Sequence, residues 1–286
     1  MQERQGLSAL SPSPVAPASG SGPGGVTHSG VSGVPWSRDR VIVLMGLVAV
    51  SVAAWGYMLY DYVRMQSLPM SQMWMPPTGG APWSLQDFWL TFVMWAVMMV
   101  AMMVPSAAPM VLMFATVNRK RRSQQRPYVP TFVFASGYVA VWTLFSAVVT
   151  LAQWPLHHWA LLTPMMDNAS ATMAGLVLLA AGVYQWTPWK DACLHQCRTP
   201  LGFLMTEWRE GAGGAFLMGV KHGFFCVGCC WALMLVLFAV GVMNILWVAV
   251  ITLFVLAEKV FPWRPTLVRA VSGLLLVASG ILVLAG

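Results

Sequence analysis

The stretch GAFLMGVKHGFFCVGCCWALMLVLFAVG, Gly214–Gly241, carries a single charged residue, Lys221. As a helix it is long enough to cross a hydrocarbon layer of roughly 30 Å. Inside it lie His222 and the thiols of Cys226, Cys229 and Cys230. Metal-seeking side chains are expensive within a bilayer, so their presence there points to function, here soft-metal or redox chemistry. On a helix the four project from one face about 100° wide. His222 and Cys230 are nonetheless about 12 Å apart along the axis, too far for one ion with metal–sulfur bonds near ~2.3 Å. A pair such as His222 with Cys226, or Cys226 with Cys229 or Cys230, could bind together, with the other ligands from a neighbouring helix. Gly223 and Gly228 leave room for that helix to approach. Free cysteine also packs as a small hydrophobe, but three thiols in five positions beside a histidine favour metal or redox use.

The rest of the chain fits the same setting. Hydrophobic residues make up 58% and charged residues 9%, with mean hydropathy +0.68, a composition that a wetted globular surface does not allow. The expected fold is all-α, a polytopic bundle of about seven transmembrane helices near residues 41–60, 88–117, 129–153, 169–188, 214–241, 244–261 and 267–285. The basic residues cluster in alternate connections: Arg38 and Arg40; Arg119, Lys120, Arg121, Arg122 and Arg126; Lys190, Arg198 and Arg209; Lys259, Arg264 and Arg269. Short basic loops stay in the cytoplasm, which puts the amino terminus inside and the carboxyl terminus in the periplasm. Arg64 is the exception, and Asp61, Asp87 and Asp167 fall outside. The net charge of +7 is then topology, and no nucleic-acid partner is expected. Residues 1–36, rich in Ser, Pro and Gly, read as a disordered cytoplasmic tail, and 37–286 as the membrane domain. The apolar run after this tail suits a retained anchor better than a cleaved signal. Tyr57, Tyr60, Trp89, Trp154, Trp159, Trp186 and Trp189 stand where spans should meet the interface.

Three further groups of residues bear on chemistry. Cys193 and Cys197, one helical turn apart between Lys190 and Arg198, could chelate a metal; in reducing cytosol a structural disulfide is disfavoured. His195 would join only if the segment were not helical. Met70, Met73 and Met75, with Met65, sit in the first outer loop, and Met94, Met98 and Met102 recur every fourth residue in the second span. Thioethers select Cu(I), so these six, Met70, Met73, Met75, Met94, Met98 and Met102, outline a metal path, although methionine also fills irregular cores. Pro105 and Pro109 should kink or break the second span near mid-membrane. Lys221 and Glu258, both toward the cytoplasmic end, form a plausible intramembrane ion pair. His157 and His158 read as interfacial.

Tyr184-Gln185-Trp186-Thr187-Pro188-Trp189-Lys190, Cys193, Cys197-Arg198, Pro200, His222-Gly223, Cys226 and Gly228-Cys229-Cys230-Trp231, with Met98-Met99 and Ala101-Met102-Met103-x-Pro105, resemble a bacterial family of predicted metal-binding integral membrane proteins, a domain of unknown function. The resemblance covers roughly residues 84–262. It implies His222, Cys226, Cys229, Cys230, Cys193 and Cys197 as metal ligands.

No haem-attachment, phosphate-loop or nucleophile-elbow motif is present, and no catalytic residue is assigned. The expected protein is a multi-pass component of the bacterial inner membrane. It binds a transition metal, Cu(I) before zinc, for transport or for delivery to a membrane metalloprotein, with that protein or a periplasmic metallochaperone as partner. The first alternative is a thiol–disulfide electron carrier using Cys226 and Cys229. The second is a structural or assembly subunit.

Overall fold

A computed structural model describes residues 38–69, 72, 74–125, 127–163, 170–260 and 265–285. The expected tail lies outside the described residues, as do Met70 and Met73 of the outer methionine group. The described chain forms helices α1 (Arg38–Ser67), α2 (Leu85–Ser123), α3 (Thr131–His158), α4 (Ala171–Gln185), α5 (Pro188–Arg198), α6 (Pro200–Glu207), α7 (Gly211–Val240), α8 (Ile245–Val260) and α9 (Pro265–Ala285).

Five of these, α1, α2, α3, α7 and α9, are long and apolar enough to cross a membrane. At the expected spans near 169–188 and 244–261 lie α4, with 15 residues, and α8, with 16, about 22 and 24 Å of helix. What shortens α4 is a break at Trp186-Thr187. The Thr187 hydroxyl accepts from the Lys190 N–H and Pro188 takes the first helical position of α5, a start signal that ends one helix by beginning the next.

Of the kink or break expected at Pro105 and Pro109, the break does not occur, because α2 runs through both. Pro105 has no N–H for the carbonyl of Ala101 four residues earlier. That carbonyl instead accepts from the Trp55 indole Nε1 of α1 at 3.0 Å. Satisfying an orphaned carbonyl from a neighbouring helix is what an apolar environment demands.

Glycine sets the crossings of the bundle. A Cβ at Gly219 of α7 would land on the carbonyl oxygen of Phe134 in α3 and lie 3.1 Å from the Tyr138 nitrogen, while one at Gly137 of α3 would strike Phe216 of α7. The contacts advance in the same direction along both helices, from Gly219 beside Phe134 to Gly223 beside Val141, so α3 and α7 run parallel. Between α4 and α9, Gly175 faces Gly280 and Gly182 faces Gly273, an antiparallel register. Small residues let backbones meet where water is not available to drive helix association.

Two buried charges are paired, although not as expected. Glu258 binds the Lys190 ammonium at 2.8 Å, both side chains enclosed, and the Glu258 carbonyl accepts from Arg198 Nε at 2.6 Å. Lys221 pairs with Glu207 at 2.7 Å instead, its side chain 43% exposed. The expected Lys221–Glu258 pair is therefore absent: Lys221 looks off the outer surface of α7, whereas Glu258 faces inward toward α5. His157 does not lie on the surface of the bundle. It is enclosed, bonded to Gln153, which accepts in turn from Trp95 at 2.7 Å.

Candidate metal site

The two cysteine groups form one cluster. Helix α5 turns Lys190, Leu194 and Cys197 inward at i, i+4 and i+7, the spacing of one buried helical face. It lays that face on α7, which brings the Cys197 sulfur to 4.0 Å from the Cys229 sulfur. Cys193 sits beside Gly228, where an added Cβ would meet its sulfur at 2.7 Å; the absence of a side chain there makes room for the thiol. His195 is exposed on the far side of α5 and takes no part. All five thiols are free.

On α7 the expected face is realised, with His222, Cys226, Cys229 and Cys230 all buried. The Cys226 sulfur is contacted by Tyr138 Oη at 3.0 Å and by the Lys259 ammonium at 2.9 Å. Lys259 donates also to Ser106 Oγ at 2.9 Å, and Tyr138 to the Met103 carbonyl at 3.1 Å. Cys229 and Cys230 donate to the Cys226 carbonyl at 3.1 and 2.9 Å. Cys230 also lies 3.9 Å from the Met103 thioether of α2. Sulfur from α2, α5 and α7 thus meets at one level, beside a buried ammonium that offsets the charge thiolates would bring into an apolar interior.

Burial and its neighbour Cys229 push the Cys193 thiol up from its ordinary value. The Cys197 thiol is held well above the usual range, because it interacts with the sulfurs of Cys226 and Cys229 and is itself enclosed. A metal bound here would have to displace that proton.

Among the described residues, no three His, Cys, Asp or Glu side chains converge as a ready-made metal site. Cys226 is engaged by Lys259, and Cys230 points toward Met103. The Cys197–Cys229 pair does have usable geometry. With metal–sulfur bonds near ~2.3 Å, sulfurs 4.0 Å apart subtend about 120° at an ion between them. His222 stands apart from this pair, its ring stacked on Tyr138 at 5.6 Å with Nδ1 unpartnered. Met98 and Met102 are buried in the α2 core, Met94 is partly buried, and Met75 is partly exposed before α2.

Lys259, Tyr138, Ser106 and Met103 were not singled out as site residues by their sequence. Lys259 ends an apolar run and reads as a cytoplasmic charge, and nothing local marks Tyr138 until α7 is laid against α3. The i, i+4, i+7 spacing of Lys190, Leu194 and Cys197 was the available signal that α5 packs inward.

The sequence model of PpoB2, described as a copper chaperone, matches residues 92–283. The chain belongs to that family. No curated protein and no solved structure matches.

Proposed function

We propose that this protein is a seven-span component of the bacterial inner membrane that binds Cu(I) as cargo and passes it to a membrane or periplasmic metalloprotein. The observation that carries the reading is the approach of Cys197 to Cys229 at 4.0 Å, which joins two sequence-distant thiol groups in a buried site. The copper chaperone family supports the choice of metal, and thiolate and thioether donors select Cu(I) among the metals a cell offers. Cys197 and Cys229 are the proposed ligands, with Cys226, Cys230, Cys193 and Met103 at their edge. His222 is a positioning residue for Tyr138.

The crossing directions support seven spans. Chains that cross in alternation make the third and fifth crossings parallel and the fourth and seventh antiparallel. The α3–α7 and α4–α9 registers have those directions if α4 and α8 both cross. With α4 left out of the membrane, α3 and α7 would run opposite ways. Helices this short are accommodated by local thinning of the bilayer. The basic ends of α2 and α8 favour an amino terminus on the inside.

Anaerobic titration of purified protein with Cu(I) against a competing chelator tests the reading. The expected result is one tightly held copper at the thiols. If the wild type holds none, and mild oxidation instead gives a reversible Cys197–Cys229 disulfide, the thiol–disulfide carrier replaces the copper reading. The redox pair would then be Cys197 with Cys229, the two sulfurs that face each other across the helices.

A further inference from the structure

Two groups stand out among the described methionines. Met99, Met102, Met103 and Met110 of α2 and Met234 of α7 are fully enclosed and fill the core, the ordinary use of a flexible apolar side chain. Met58 and Met65 of α1, Met94 and Met98 of α2, and Met243 before α8 instead line one small cavity of about 60 Å³. All but Met98 are partly exposed. A methionine recruited to fill a gap should leave no space beside it. Here five methionines from three chain segments line space that remains.

The other lining residues are apolar or tyrosine, apart from Asp61, the one carboxylate. Soft uncharged donors with a single negative charge suit a soft monovalent cation: thioethers prefer Cu(I) to the hard divalent ions that carboxylates and water would take. The cavity lies toward the carboxyl end of α1 and the amino ends of α2 and α8, opposite the basic ends of α2 and α8. From Met98 to Met103 is five residues of α2, about 7.5 Å along its axis, and the Met103 sulfur is 3.9 Å from Cys230.

We propose that this pocket is a second, separate Cu(I) site, built from thioethers with Asp61 as counter-charge, that receives the ion on the outer side of the thiol cluster. The proposal rests on copper being the cargo. Binding exchanges the ion between sulfur donors without change of oxidation state, and no proton is released because thioethers carry none.

The test uses Ag(I), a closed-shell stand-in for Cu(I), on full-length protein in lipid nanodiscs. A chain with all five cysteines changed to serine is expected to bind one Ag(I). Adding Met94→Leu, Met98→Leu and Met243→Leu should remove that equivalent, whereas Met99→Leu with Met110→Leu should leave it. Methionine-to-leucine changes conserve volume, so these chains should fold, and unchanged thermal unfolding checks that they do. If the cysteine-free chain is unstable, the leucine set in the wild type should lower the Ag(I) stoichiometry by one. The pocket is overturned if the leucine set changes nothing in either background, or if the cysteine-free chain binds no Ag(I) while folded. Copper held by the wild type with no Ag(I) in the cysteine-free chain leaves the thiol site standing and removes only the pocket. One Ag(I) in the cysteine-free chain, with no additional ion in the wild type, removes the thiol site alone.

Discussion

Replacing Cys229 by serine is expected to weaken Cu(I) retention by about 100-fold or more while leaving the fold intact. Removing only an outer-shell partner of a metal ligand weakens binding by about 10–100-fold, and Cys229 is proposed to touch the metal itself. The serine hydroxyl can still donate to the Cys226 carbonyl, which the thiol contacts at 3.1 Å, so the local backbone keeps its bond. What is lost is the soft donor opposite Cys197. Oxygen in place of sulfur shifts the preference of the site away from Cu(I). Competition with a chelator, run beside a thermal melt, measures both effects. A variant that retains copper as tightly as the wild type would remove Cys229 from the site.

Gly219→Val should be among the most destabilising single changes in the bundle. The first added carbon would land on the Phe134 carbonyl oxygen and crowd the Tyr138 nitrogen at 3.1 Å. Neither is the end of a movable side chain, so α3 and α7 must separate. Overpacking a core with side chains that can give way costs about 1–3 kcal/mol; meeting backbone should exceed that. The consequence reaches the site, because the same crossing holds Tyr138 Oη 3.0 Å from the Cys226 sulfur. Gly219→Val is expected to lower the unfolding temperature in detergent by more than any cysteine-to-serine change and to lose copper with it. Gly213→Val, near the start of α7 with open space beside it, should not. Equal stability of the two variants would contradict the close crossing.

The extent to which the site could be read from sequence follows from what each residue contacts. The face of α7 was legible because its partners are four residues on one helix, and helical period alone places His222, Cys226, Cys229 and Cys230 together. The union of Cys197 with Cys229 was not, because it depends on α5 folding back onto α7, and length and hydropathy say nothing of that return. Lys190 illustrates the difficulty. A lysine after an apolar run reads as a cytoplasmic charge, yet its ammonium is enclosed and held by Glu258 at 2.8 Å. Pairing in the interior is a tertiary property. The carboxyl end of α4 falls short of the expected span for a local reason, since Thr187-Pro188 is a helix start at the end of what hydropathy counts as one apolar run. Pro105 shows the reverse case, in which a residue expected to interrupt α2 is accommodated by Trp55 of another helix.

The two cysteine groups are proposed to make a single copper site. X-ray absorption at the copper edge on Cu(I)-loaded protein, wild type beside Cys197→Ser, tests it most directly. The wild type is expected to show a first shell of sulfur alone, and to lose one sulfur scatterer when Cys197 is serine. Identical first shells in the two proteins would contradict it, for they would show that α5 contributes no ligand.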